Sequence, residues 1–179
     1  VIIDTVAYEN LVPGREHTIK GSVQVKGEKD GEAVAKPLEV GGKPVKAETT
    51  FTPEKSAGTA NVTFRFTSRD IEPGTELVMF ESLERGGNVL ATHEDIGDVN
   101  QTVTVTAPAI STSARDAIDG DKDVVVDDVT TVIDTVEYKN LVPGKEYTLN
   151  GKLYSKSTGK PLMAGDKPVT GQTVFTPEQ

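Results

Sequence analysis

The chain has 179 residues, 35% of them apolar, only 5% aromatic and none tryptophan, so its core must be built mainly from Val, Leu and Ile, which suits small sandwiches better than one large globule. A net charge of −9 excludes a basic nucleic-acid-binding face, and no apolar run approaches the ~20 residues of a membrane span. There is no cysteine, and small secreted modules usually staple themselves with disulfides, so the chain is either cytosolic or stabilised in another way.

In chain order, the first segment carries Ile3-Asp4-Thr5-Val6, then Tyr8, Asn10, Leu11 and Pro13-Gly14. The same residues return 130 positions later as Ile133-Asp134-Thr135-Val136, Tyr138, Asn140, Leu141 and Pro143-Gly144. Farther on, Lys43-Pro44-Val45 and Phe51-Thr52-Pro53-Glu54 return 124 positions later, as Lys167-Pro168-Val169 and Phe175-Thr176-Pro177-Glu178. The second copy has therefore lost six residues, where Lys26–Glu32 gives way to the shorter Ser155–Gly159. Length variation confined to a polar, Gly-rich stretch marks a hairpin tip. A period this long means an array of domains, with one module over 1–107 and the N-terminal half of the next over 108–179. The first module is expected to lack its N-terminal strand, which would lie before Val1 and resemble residues 108–130. Export and anchoring signals would likewise lie outside this segment.

Val62, Phe64 and Phe66 alternate with polar residues, as a half-buried strand requires. Leu77–Phe80, Val89–Ala91 and Val103/Val105 behave similarly, and Gly-Gly and Pro-Gly pairs punctuate between them. No segment shows a capped 3.6-residue apolar period. The pattern predicts an all-β chain of tandem immunoglobulin-like sandwiches.

Side-chain direction then singles out polar residues on apolar faces. Glu81 follows Leu77 and Met79 on one strand face, which predicts a buried carboxyl that stays protonated unless paired. Gln101 shares a face with Val103 and Val105, and Thr112 shares one with Ile110 and Ala114. An inward amide is costly without a partner. His93 and Asp98 stand between two strands, in Thr92-His93-Glu94-Asp95-Ile96-Gly97-Asp98. His17 takes the place of Tyr147 in the other repeat, which predicts an amphipathic surface or packing role. The acidic run Asp116–Asp123 lacks the spacing and terminal glutamate of a calcium loop and reads as a solvated turn. No metal or other cofactor is expected.

Val78-Met79-Phe80-Glu81, His93, Asp98, Gln101-Thr102-Val103, Ile110-Ser111-Thr112-Ser113-Ala114 and the Ile-Asp-Thr-Val blocks together resemble the Thr–Gln ester-bond domains, or VaFE repeats, of Gram-positive cell-wall-anchored adhesins. The resemblance implies a collagen-adhesin B-type sandwich on the outside of a bacterial cell wall. It also implies an intramolecular ester between a first-strand threonine and a last-strand glutamine, with ammonia released. His93 would act as base, assisted by Glu81 and Asp98 as an acid pair. Gln101 would be the cross-linking glutamine of the first repeat and Thr112 the nucleophile of the second. Each one's partner falls outside the segment, and a tight hairpin between the two could not supply the parallel pairing expected of load-bearing terminal strands. The expected role is a structural stalk module that reacts once with itself and is not an enzyme. Its expected partners are neighbouring repeats and, through strand complementation, another chain. A pilin-like module with a Lys–Asn isopeptide bond or no cross-link, and a ligand-binding adhesin domain, are the alternatives. The sequence carries no signal that names a host ligand.

Overall fold

The computed structural model describes residues 1–127 and 129–178. They divide into two compact units, Val1–Thr106 and a second beginning at Ala107, and every regular element apart from one short 3₁₀ turn is a strand. The chain is all-β, as its alternation predicted.

In the first unit β1 (Ile2–Tyr8), β2 (His17–Lys29), β3 (Glu32–Pro37), β4 (Glu39–Val40), β5 (Lys43–Pro44) and β6 (Lys46–Phe51) are followed by β7 (Gly58–Phe64), β8 (Glu76–Arg85), β9 (Asn88–His93) and β10 (Thr102–Thr104). The long strand β2 is central: β8 pairs along it antiparallel, while β6 and β3 pair with successive parts of it. In the same way β10 and β9 pair with successive parts of β8. Between them the chain leaves β8 and returns through a 3₁₀ turn, Val99–Gln101. Strands β1 and β7 form a separate two-stranded sheet.

One core joins the two sheets. Ile19 and Val23 of β2 and Leu77 and Met79 of β8 pack with Val62 and Phe64 of β7, and Ile2 and Val6 of β1 close over them. Gly21 sits among these residues because a Cβ there would come within 2.5 Å of Phe64 Cζ. β8 departs from simple alternation, since Leu77, Val78 and Met79 are all buried, whereas the edge strand β9 is exposed throughout.

The second unit contains β11 (Ala109–Asp116), β12 (Val132–Lys139), β13 (Tyr147–Lys152), β14 (Tyr154–Ser155), β15 (Lys160–Pro161), β16 (Met163–Ala164), β17 (Lys167–Pro168) and β18 (Thr170–Phe175). Its repeat of the first unit extends to individual bonds. Gly14 N donates to Pro53 O and Gly144 N to Pro177 O, both at 2.9 Å. Asn10 and Asn140 both take the left-handed backbone, at φ 60° and 59°. Tyr8 packs on Phe51 at 5.2 Å, as Tyr138 packs on Phe175 at 5.0 Å. The six-residue difference falls in the β2–β3 hairpin, which turns at Asp30-Gly31 and corresponds to the short β14–β15 hairpin.

Candidate functional site

The site is built on β8. Glu81 lies directly opposite Gly21 of β2 on one side and His93 of β9 on the other. Residues opposite one another share a face, so Glu81 and His93 are both directed to the core side. Glu81 is 4% exposed. His93, on the sheet edge, keeps 54% of its side chain exposed, and its Nε2 lies 3.4 Å from Asp98 Oδ2.

The 3₁₀ turn presents Gln101. Asp98 caps it, with Oδ1 accepting from Asn100 N at 2.8 Å and its carbonyl accepting from Gln101 N at 3.3 Å and Thr102 Oγ1 at 2.7 Å. The alternation expected Gln101 to be a strand residue facing inward with Val103 and Val105. The capping bonds instead curl the chain, β10 starts only at Thr102, and Val103 is exposed while Val105 packs on the core. Gln101 is nonetheless buried, at 8% exposure, and its Nε2 donates to Glu81 Oε2 at 2.6 Å.

The carboxyl beside Glu81 is not that of Asp98. It belongs to Asp4 of β1, a residue that sequence reasoning did not single out as part of the site. Burial pushes the Glu81 carboxyl up to about 8; a hydrogen bond with Asp4 and the Asp4 charge add to the rise, while the Gln101 amide opposes it. Asp4 Oδ2 and Glu81 Oε1 are both buried without a donor. A proton held between two carboxyls satisfies both oxygens, since two adjacent carboxylates cannot both ionise cheaply. The signal for Asp4 was present: it shares the inward side of β1 with Ile2, Val6 and Tyr8.

Asp4, Glu81, His93, Asp98 and Gln101 all line one slot, bounded by β1 on one side and by β9 and the 3₁₀ turn on the other. Gln101 Oε1 is buried there without a donor. An amide whose nitrogen touches a protonated carboxyl, beside an imidazole oriented by a carboxylate, is equipped for acyl transfer. The remaining polar candidates lie elsewhere. Thr112 is on β11 of the second unit, opposite Val136. It was expected to face inward with Ile110 and Ala114, but all of Ala109–Arg115 is exposed, because β11 pairs only with β12 and no second layer covers it among the described residues. His17 is fully buried against Phe51, with Nδ1 2.8 Å from Arg15 O. Asp116 is buried and accepts from Ile118 N, while Asp119 and Asp121 close local turns. No group of side chains among the described residues could hold a metal ion.

No curated protein matches the sequence. A bacterial adhesin from Mobiluncus mulieris, described as containing intramolecular disulfide, isopeptide and ester-bond cross-links, aligns with 98% of this chain and 84% of its own, at 12% identity and a TM-score of 0.41. The model of the T-Q ester bond containing domain matches residues 1–105 and again 108–179. The chain thus belongs to the T-Q ester bond domain family, twice over.

Proposed function

We propose that the first unit is a self-cross-linking stalk module of a bacterial surface adhesin, and that its Gln101 is the acyl donor to a threonine hydroxyl brought into the slot. The observation that carries this reading is the buried Gln101 amide, bonded at 2.6 Å to a carboxyl whose acidity is suppressed to about 8. The threonine Oγ1 attacks Gln101 Cδ, and its proton passes to His93. With Nε2 turned to Asp98, His93 keeps Nδ1 free to accept that proton. The Cδ–Nε2 bond breaks, the nitrogen takes a proton from the Glu81 carboxyl and ammonia departs. The proton on His93 returns to Glu81 across the strand pair, so no net proton is gained or lost. The covalent tie would hold two strands against shear without a disulfide, in keeping with a chain that has no cysteine. A position outside the bacterial cell, on the wall, belongs to the same reading.

The test uses the Thr112→Ala chain, which lacks its own candidate nucleophile, mixed with a synthetic peptide of residues 108–130. Intact mass should show protein plus peptide less one ammonia. Hydroxylamine should reverse the adduct and Gln101→Ala should abolish it. His93→Ala should slow its formation by about 10²–10⁴-fold, the usual worth of a general base. The absence of an adduct, or equal addition of a Thr112→Ala peptide, would reject the reading.

A further inference from the structure

Residues 94–101 leave the sheet between His93, which lies opposite Glu81, and Thr102, which lies opposite Val78; over that interval β8 has only Met79 and Phe80. The ladder cannot pair such a surplus, so the excursion is shaped by bonds of its own. Asp95 closes a first turn, its Oδ1 accepting from Gly97 N at 2.8 Å and its carbonyl from Asp98 N at 3.2 Å. Asp98 opens a second in the same manner, through Asn100 N. Both are turns in which an aspartate side chain bonds the backbone two residues on.

Three functions converge on Asp98. Its Oδ1 caps the 3₁₀ turn, its Oδ2 lies 3.4 Å from His93 Nε2, and its carbonyl accepts from both Gln101 N and Thr102 Oγ1. Of the two bonds to that carbonyl the backbone one is long, at 3.3 Å, whereas the hydroxyl one is 2.7 Å, the best distance for an O–H donor. Thr102 is itself anchored, as the first residue of β10 and the partner of the fully buried Val78. Strand alternation puts Val78 and Thr102 on the face turned away from Glu81, and Thr102 is not among the residues that line the slot.

We infer that Thr102 is a positioning residue of this site: its hydroxyl, acting through Asp98, fixes the His93 imidazole and the Gln101 amide relative to each other. The inference rests on the reading of Gln101 as acyl donor given above. Without the hydroxyl the Asp98 peptide is free to rotate, which draws Oδ2 from Nε2 and loosens the turn that presents Gln101. β10 keeps its place, because its pairing with β8 and the backbone bonds of Val105 with Gly74 and Thr75 do not involve the hydroxyl.

Thr102→Val and Thr102→Ser separate the hydroxyl from the methyl: valine keeps the branched shape that strands favour, and serine keeps the donor. On the unreacted chain, nitrogen NMR of the neutral imidazoles shows which ring atom carries the proton, a choice set by the partner of each ring. His93 should be protonated at Nε2, facing Asp98, and His17 at Nδ1, which lies 2.8 Å from Arg15 O. Thr102→Val should turn His93 into a mixture of tautomers while His17, the reference for an intact fold, stays as it was. Thr102→Ser should match the native chain. In the peptide reaction of the Thr112→Ala chain, adding Thr102→Val should lower the maximal rate by about 10–10²-fold, the cost of misplacing reacting groups by about 1 Å. The half-saturating peptide concentration should not change, and serine should restore the rate.

Native tautomers in the valine chain overturn the inference, as does a native rate despite shifted tautomers, or a serine chain as slow as the valine one. If no chain reacts with the peptide, the reading of Gln101 fails and the tautomers alone decide. A shift at His93 that serine reverses then keeps Thr102 as the residue that positions Asp98, and no shift removes it.

Discussion

The Glu81 carboxyl shows how much one residue depends on its surroundings. Desolvation by the core and the neighbouring Asp4 both favour its neutral form, lifting it from 4.5 to about 8. The folded chain therefore holds a proton that the unfolded chain releases above pH 4.5. Stability from this group is complete below that pH and is lost as the pH rises toward 8, at about 1.4 kcal/mol for each pH unit within the window. Urea denaturation at pH 6 and pH 9 should show the loss, and Glu81→Gln should flatten the difference. Asp4→Asn removes the neighbouring charge, so the Glu81 carboxyl should titrate lower in a carbon-detected NMR experiment while remaining above its ordinary value through burial. A Glu81 titration unmoved by Asp4→Asn would mean that the two carboxyls do not share a proton.

Among the elements, β2 and β8 determine where the chemistry stands. Their register sets Gly21 against Glu81, and the missing Cβ at Gly21 lets the Phe64 ring settle over the strand. Gly21→Ala forces the methyl into that ring, and overpacking of a filled core costs about 1–3 kcal/mol. Chemical denaturation should register that loss. If Gly21→Ala left the midpoint unchanged, the close approach of Phe64 would not be a constraint on this strand pair. The 3₁₀ turn is the second decisive element. Asp98 shapes it through its cap and also contacts His93, so one side chain positions both the amide and the imidazole.

Over the whole molecule the two units differ in what they bury. The first has a core of Ile, Val, Leu, Phe and Met side chains drawn from both of its larger sheets. In the second, Asp116 and Pro177 are the only buried positions among the described residues. Apolar burial is the main source of folding free energy, and local opening is easiest where it is least. Hydrogen exchange should therefore leave amides of β2, β7 and β8 protected long after those of β11, β12, β13 and β18 have exchanged. Equal protection in the two units of the monomer would contradict this.

The sequence by itself determined the repeat, the all-β class and the inward placement of Glu81, because apolar periodicity and duplicated motifs are local and survive in one dimension. It made the burial of Gln101 legible as well, although by way of a strand where the chain forms a turn. Only the tertiary structure decided which acid accompanies Glu81. Asp4 and Asp98 are both carboxylates near apolar residues in the sequence. The choice between them depends on β1 folding across the slot while Asp98 is held in a cap beside His93. The exposure of Thr112 was likewise beyond the pattern, since alternation shows which residues share a face and not whether another layer covers it. Which groups meet across the slot depends on strand packing between distant segments, and that packing leaves no mark on the spacing within any one of them.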